Sequence, residues 1–140
     1  MGRIFRERKN FINPGIFKAY DIRGKYPAEI NEDAVLEVAR ALSGFFKQGP
    51  IVVGHDARIG SKELYKAAIA GLRETRDKKQ VIGVGLSTTP MFYFLVGKLK
   101  ARGGIMVTAS HNPKEYNGLK VVGRGVQMIS GLEIKKIMKI

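Results

Sequence analysis

Apolar and polar positions along the chain follow two rhythms in turn. From Asn31 onward, Val35, Val38, Ala39, Leu42 and Phe45/Phe46 recur at helical spacing. Asn31 can cap the first turn, and Glu32 and Asp33 sit at the positive end of the helix dipole, so the pattern predicts a helix that closes near Gly49-Pro50. The rhythm then breaks into IVV at 51–53, too short for a helix and β-branched throughout, which predicts a buried strand running into the turn GHDARIG. Ser61 is expected to cap a second helix whose inner stripe is Leu64, Ala68, Ile69 and Leu72, ended by the charged RETRDKKQ. VIGVGL, Val81 to Leu86, predicts a second buried strand. In the STTP that follows, Thr89 is the expected N-cap and Pro90 the first helical residue, where a missing N–H costs nothing. The third helix is expected to turn Met91, Phe94, Leu95 and Leu99 inward and to stop at Gly103-Gly104. GIMV predicts a third strand, and LKVV and VQMI flanking GRG predict a hairpin whose glycines supply positive φ. GLEIKKIMKI then begins a final helix that the end of the chain cuts short, as expected of a domain taken from something longer. Upstream, residues 1–14 show no period and are expected to form a mobile arm, and GIFKAYDIRG at 15–24 an extended segment ending in a Gly turn.

Strands alternating with helices at this spacing predict an α/β fold over residues 15–140. The expected architecture is a three-layer α/β/α sandwich on a mixed, mostly parallel sheet of about four strands, joined by right-handed crossovers and ending in an antiparallel hairpin. Ligand sites of open α/β sheets lie beyond the carboxyl ends of the strands, so the polar turns GHDARIGS, GLSTTP and TASHNP are expected along one edge.

Composition narrows the chemistry. With 44% apolar and 26% charged residues the 140-residue chain is globular rather than disordered. The absence of cysteine excludes disulfides, thiolate nucleophiles and cysteine-ligated zinc. The opening MGRIFRERKN lacks the apolar core of a signal peptide, and no apolar run reaches the ~20 residues of a membrane span, so a cytoplasmic protein without membrane contact is expected. The formal charge of +13, from 25 basic and 12 acidic residues, suits a phosphorylated ligand, an acidic neighbouring domain or simply a solvated surface. Its basic residues are dispersed, from Arg3, Arg6, Arg8 and Lys9 through Arg73, Arg76, Lys78 and Lys79 to Lys135, Lys136 and Lys139, with no aromatic-interleaved tract, which argues against nucleic acid as the partner.

The hexapeptide TASHNP, 108–113, is the segment that composition leaves unexplained. Ser110 has His111 beside it but no evident acid to orient the imidazole, and the glycine pattern of a nucleophile elbow is missing, so serine-hydrolase chemistry is poorly supported. A serine that carries a phosphoryl group needs cations and hydrogen-bond donors instead. His111, Lys114, Lys120 and Arg23 are candidate cations, with Asn112 and Asn117 as polar supports. The bland alternative is a turn built by Ser110 and Asn112-Pro113, with Asp56 and Arg58 a local structural pair and His55 an ordinary loop residue.

The segment GGIMVTASHNPKEYNGLK resembles the phosphoserine loop of the α-D-phosphohexomutase superfamily, which includes phosphoglucomutase, phosphomannomutase and phosphoglucosamine mutase. FKAYDIRG resembles that family's entrance loop, VVGHDARIGS its Asp- and Arg-rich turn, and GLSTTP its Thr-Pro turn, in the same order. Two positions depart from the usual pattern: His55 stands where Arg is common, and Gly60-Ser61 where a Ser pair is common. The resemblance implies the first of four domains, with the acidic metal loop, the sugar-selecting loop and the phosphate-binding loop carried by the other three. It implies that phosphorylated Ser110 exchanges phosphate with a hexose 1- or 6-phosphate through a bisphosphate. It also implies a Mg²⁺ ligated in part by Ser110, substrate or phosphate contacts from Tyr20 and Arg23, and proton transfer or charge stabilisation by His111 and Lys120. Mutase turnover is then expected to need the remaining domains of the enzyme; a non-catalytic phosphate- or nucleic-acid-binding module on the same fold is the competing expectation.

Overall fold

The structure is a computed structural model describing residues 11–140. Six strands, β1 (Ile22–Lys25), β2 (Ile51–His55), β3 (Val81–Leu86), β4 (Gly103–Val107), β5 (Tyr116–Gly123) and β6 (Met128–Ile129), form one sheet in the order β1-β5-β4-β2-β3, with β6 also paired to β5. Four helices surround it: α1 (Glu32–Phe45), α2 (Ser61–Arg73), α3 (Thr89–Lys98) and α4 (Gly131–Met138). The three-layer mixed architecture is as expected, but the sheet is larger than four strands. Its parallel part is confined to β3-β2-β4, while β1, β4 and β6 all run antiparallel to β5.

Handedness explains the layers. The chain leaves β2 for β3 through α2, then returns past β2 to β4 through α3. The two crossovers run in opposite directions along the sheet, so the right-handed connection that parallel strands favour carries their helices to opposite faces. Strand alternation agrees. Ile51, Val53, Ile105, Val107, Leu119 and Val121 join the cluster that packs on α1, α2 and α4, whereas Val52, Met106 and Val122 join Phe92 and Val96 of α3.

Local chemistry corrects several sequence expectations. Asn31 does cap α1, accepting from the Ala34 N–H, but the helix ends at Phe45 with Phe46 turned into the core. Ser61 is the first residue of α2 rather than its cap; Gly60 takes the cap position with φ +85°. Thr88, not Thr89, caps α3, accepting from the Met91 N–H. That helix is apolar around most of its circumference, so periodicity could not choose a face. Phe92 and Val96 are buried while Met91, Phe94 and Leu99 are exposed. VIGVGL is a strand as expected, yet it lies at the sheet edge with only Val81 buried. Of the GRG glycines only Gly125 has positive φ. Around GIFKAYDIRG, a 3₁₀ turn (Pro14–Ile16) leads into the segment, and only its last three residues, with Lys25, form β1. Residues 1–10 of the expected arm lie outside the described residues; Ile12 is buried in the core.

Arg76, one of the dispersed basic residues of the charged segment RETRDKKQ, is buried. Its guanidinium donates to the carbonyls of Ser43 (2.7 Å), Phe46 (3.1 Å), Gly49 (3.3 Å) and Lys47, closing the carboxyl end of α1 and the turn beyond it. Arg76→Ala leaves these carbonyls without that donor and is expected to cost about 2–3 kcal/mol in denaturant melts. Tyr26 offers a pH-dependent counterpart. Its hydroxyl donates to the Glu32 carboxylate, and that bond above all, with burial, raises its pKa from 10.0 to about 12. A folded-state pKa above the unfolded value stabilises the fold fully below pH ~10, and the gain is lost as the pH climbs from there through about 12. The stability gap between wild type and Tyr26→Phe is therefore expected to narrow over that window in paired alkaline melts.

Candidate active site

The carboxyl ends of β2, β3 and β4 bring the three polar turns to one edge, as expected. The Asp56 N–H donates to Val107 O (3.0 Å) and the Ser87 N–H to His55 O (2.8 Å), so the turns continue the sheet's own pairing. Loop 108–115 joins β4 directly to its antiparallel neighbour β5, which places Ser110 near the tip of a hairpin at the centre of the sheet.

Side chains within the loop shape it. The Thr108 hydroxyl accepts from the Ser110 N–H at 3.0 Å, while the Asn112 backbone and side-chain amides both donate to Ala109 O, at 3.0 and 2.7 Å. Pro113 restricts Asn112 to extended backbone. The outcome is Ser110 at φ +52°, the left-handed region, which costs a non-glycine residue about 1 kcal/mol. Thr108 and Ala109 are buried; Ser110 and His111 are exposed.

Arg58 closes the loop from below. Its Nη2 donates to the carbonyls of Ser110 and Asn112, both at 2.6 Å, and its Nη1 to those of Pro113 (2.8 Å) and Tyr116 (3.1 Å). Asp56 orients it: Oδ2 lies 3.7 Å from Arg58 Nε, and Oδ1 accepts from the Arg58 N–H (3.1 Å) and the Ser61 hydroxyl (2.5 Å). Ser61 in turn accepts from Asn117 Nδ2 at 3.0 Å, both residues being 0% exposed. The Asp-Arg pair is thus present, but its main partners are the loop carbonyls, which sequence spacing cannot reveal. The available signal was a charged Asp-Ala-Arg bounded by glycines at the carboxyl end of a buried strand. Gly60 fits the same construction, since a Cβ there would lie 2.5 Å from the Tyr26 ring.

The cations come from the other side. Arg23, on β1 opposite Gly118, and Lys120, opposite Met106 on β4, project from the same face of the sheet. Arg23 Nη1 donates to Asn112 Oδ1 at 3.3 Å, joining β1 to the serine loop. The buried Asp21, which sequence reasoning passed over, holds both cations: Oδ1 lies 2.9 Å from Arg23 Nε and Oδ2 3.9 Å from Lys120 Nζ. Burial, and then the Asp21 charge, raise the pKa of Tyr93 on α3. Tyr20 is 77% exposed at the start of this segment, and Lys114 is exposed on the loop. Asn117, expected as a polar support, works from beneath the loop rather than beside the serine.

Residues 14–140 match the family described as phosphoglucomutase/phosphomannomutase, alpha/beta/alpha domain I. The chain belongs to that family. A phosphohexose mutase of Xanthomonas campestris is 50% identical over 114 residues, 81% of this chain and 25% of that protein. A phosphomannomutase of Klebsiella pneumoniae is 47% identical over 115 residues, covering 82% of this chain and 72% of that protein. Among solved structures, a phosphoglucomutase/phosphomannomutase family protein from Burkholderia thailandensis superposes with a TM-score of 0.82 at 35% identity, over 92% of this chain and 30% of that one. The chain therefore spans about a quarter of the Xanthomonas relative. As a domain I it presents the serine loop, Arg58 beneath it and the Asp21-Arg23-Lys120 group beside it. Among the described residues no helix is long and apolar enough to cross a membrane.

Among those residues there is also no group of three or more His, Asp or Glu side chains able to hold a metal ion. An exposed Ser110, once phosphorylated, offers hard oxygen donors of the kind Mg²⁺ accepts while keeping several waters.

Proposed function

We propose that this chain is the phosphoserine domain of a phosphohexomutase, acting on a hexose 1- or 6-phosphate in a cytoplasmic enzyme completed by further domains. The observation that carries the reading is the exposed Ser110 on a fixed hairpin tip, with Arg23 bonded to the same loop and Lys120 linked to Arg23 through Asp21. In the forward step the bond from phosphorus to Ser110 Oγ breaks and one to a sugar hydroxyl oxygen forms; the hydroxyl proton leaves to His111 or Lys120. The resulting bisphosphate returns its other phosphoryl group to Ser110 Oγ. Arg23 and Lys120 offset charge spread over the transferring oxygens, and Tyr20 and Arg23 meet the substrate at the mouth. A Mg²⁺ held in part by the Ser110 phosphate would supply further charge neutralisation when bound.

Serine chemistry of this kind needs no strong base beside Oγ in the resting state, which suits the solvent-facing position of the loop. The test is intact-mass analysis with peptide mapping after exposure to a hexose 1,6-bisphosphate, with the remaining domains supplied by a separately made remainder of the enzyme. One phosphoryl group mapped to Ser110 is expected, and phosphate elsewhere or nowhere refutes the reading. The chain by itself is expected to show little or no mutase turnover; robust conversion of glucose 1-phosphate by it alone would overturn that part.

A further inference from the structure

We infer that Arg58 is a positioning residue for phosphoryl transfer at Ser110, a role that goes past local pairing with Asp56 and rests on the reading of Ser110 as phosphoryl carrier. The bonding pattern of the guanidinium carries the inference. Four carbonyls, those of Ser110, Asn112 and Pro113 in the loop and of Tyr116 at the head of β5, converge on the two terminal nitrogens within 3.1 Å. No hydrophobic collapse produces such convergence. Carbonyl dipoles brought together repel at their negative ends, so a planar cation with donors in a fork is what makes the arrangement stable. The side chain is 16% exposed, and Asp56 is tied to Ser61, which is tied to Asn117 at the start of β5.

Two consequences bear on chemistry. The first is backbone shape: Ser110 holds φ +52° because its own carbonyl is drawn down to Nη2 while its N–H is taken by Thr108. The second is electrostatic. In a planar trans peptide the N–H points opposite to the C=O, so drawing the Ser110 and Pro113 carbonyls onto Arg58 turns the His111 and Lys114 N–H groups away from it. A phosphoserine bears a charge of about −1.5 to −2 near neutral pH. Arg58 thereby removes the negative ends of four dipoles from its surroundings and leaves the His111 and Lys114 N–H groups turned away from it, while its own charge beneath the loop is offset in part by Asp56 at 3.7 Å. The arginine needs no contact with substrate to do this.

The test uses all 140 residues with phosphoserine installed chemically or by genetic encoding at position 110, so that it does not depend on whether the protein phosphorylates itself. Wild type, Arg58→Lys and Arg58→Ala are compared by thermal melting, by hydrogen exchange at the Asn112 and Tyr116 amides against Ile105 and Val121, and by ³¹P titration of the phosphate. Lysine keeps the charge but cannot serve four carbonyls. Both variants are expected to exchange at Asn112 and Tyr116 at least about tenfold faster with strand amides unchanged, a local opening. The second phosphate pKa is expected to rise most in Arg58→Ala and less in Arg58→Lys. Loop exchange within twofold of wild type, or loop and strand amides accelerating together with an unmoved ³¹P titration, would overturn the inference by making Arg58 dispensable or merely structural. If Arg58→Ala does not fold, the lysine variant decides on the same readouts. Failure of the mutase reading would show instead as absence of phosphate on Ser110 after bisphosphate treatment, with the exchange and ³¹P results unaffected.

Discussion

Ser110→Ala, assayed with the remaining domains of the enzyme present, is expected to lose turnover by on the order of 10⁴-fold or more and to take up no phosphate, with its melting temperature unchanged. Loss of a covalent nucleophile has effects of that size because no other group takes over the step. The stability half follows from position. Ser110 is exposed, its hydroxyl is not used in shaping the loop, and its backbone N–H bond to Thr108 survives the substitution. Residual turnover within tenfold of wild type would sink the carrier role. The same assay separates the proton-transfer candidates: His111→Gln and Lys120→Gln are compared over a pH series, and the group that moves the proton is the one whose removal flattens the limb of the kcat profile. The other should change KM or the overall level with the limb retained.

Gly118→Ala is the second large effect, expected on stability. Gly118 belongs to the YNGLK stretch and lies on β5 between β1 and β4, paired with Arg23. A Cβ there would be driven into the Ile22 carbonyl oxygen, with Arg23 Cα at 3.2 Å, so the obstacle is backbone that cannot rotate away. The expected cost is about 3 kcal/mol or more, the upper end for overpacking, read from the denaturant midpoint. Displacing β1 also moves Asp21 and Arg23, so any folded fraction should bind anionic sugars poorly. A midpoint within experimental error of wild type would show that β1 does not approach β5 as described.

What could be read from the chain depended on how local the cause was. Helix α1 was legible because Asn31, Glu32, Asp33 and the Val35-to-Leu42 stripe all act within a few residues of one another. Strands β2, β3 and β4 were legible as apolar runs, and the expected common edge for their turns followed from parallel order. Strand β5 was only half seen: Tyr116-Asn117-Gly118 looks like a turn, and its strand character comes from pairing with β1 and β4, a tertiary fact. Helix α3 failed in its facing because six consecutive apolar residues, Met91 to Val96, carry no period to read. At the site, the serine, its neighbouring histidine and the two cations were identifiable by residue type and by resemblance. Arg58's four carbonyls, Asp21's double contact and Arg76's closure of α1 were not, since each joins segments tens of residues apart.

The hairpin that carries Ser110 also limits its reach. A span of eight residues is pinned at both ends to central strands, clasped from below by Arg58 and linked at its side to Arg23. Such a tether allows the hydroxyl little travel beyond that of its own side chain. On the mutase reading proposed above, a serine with this little reach would serve two positions on one sugar only if the sugar presented them to it in turn.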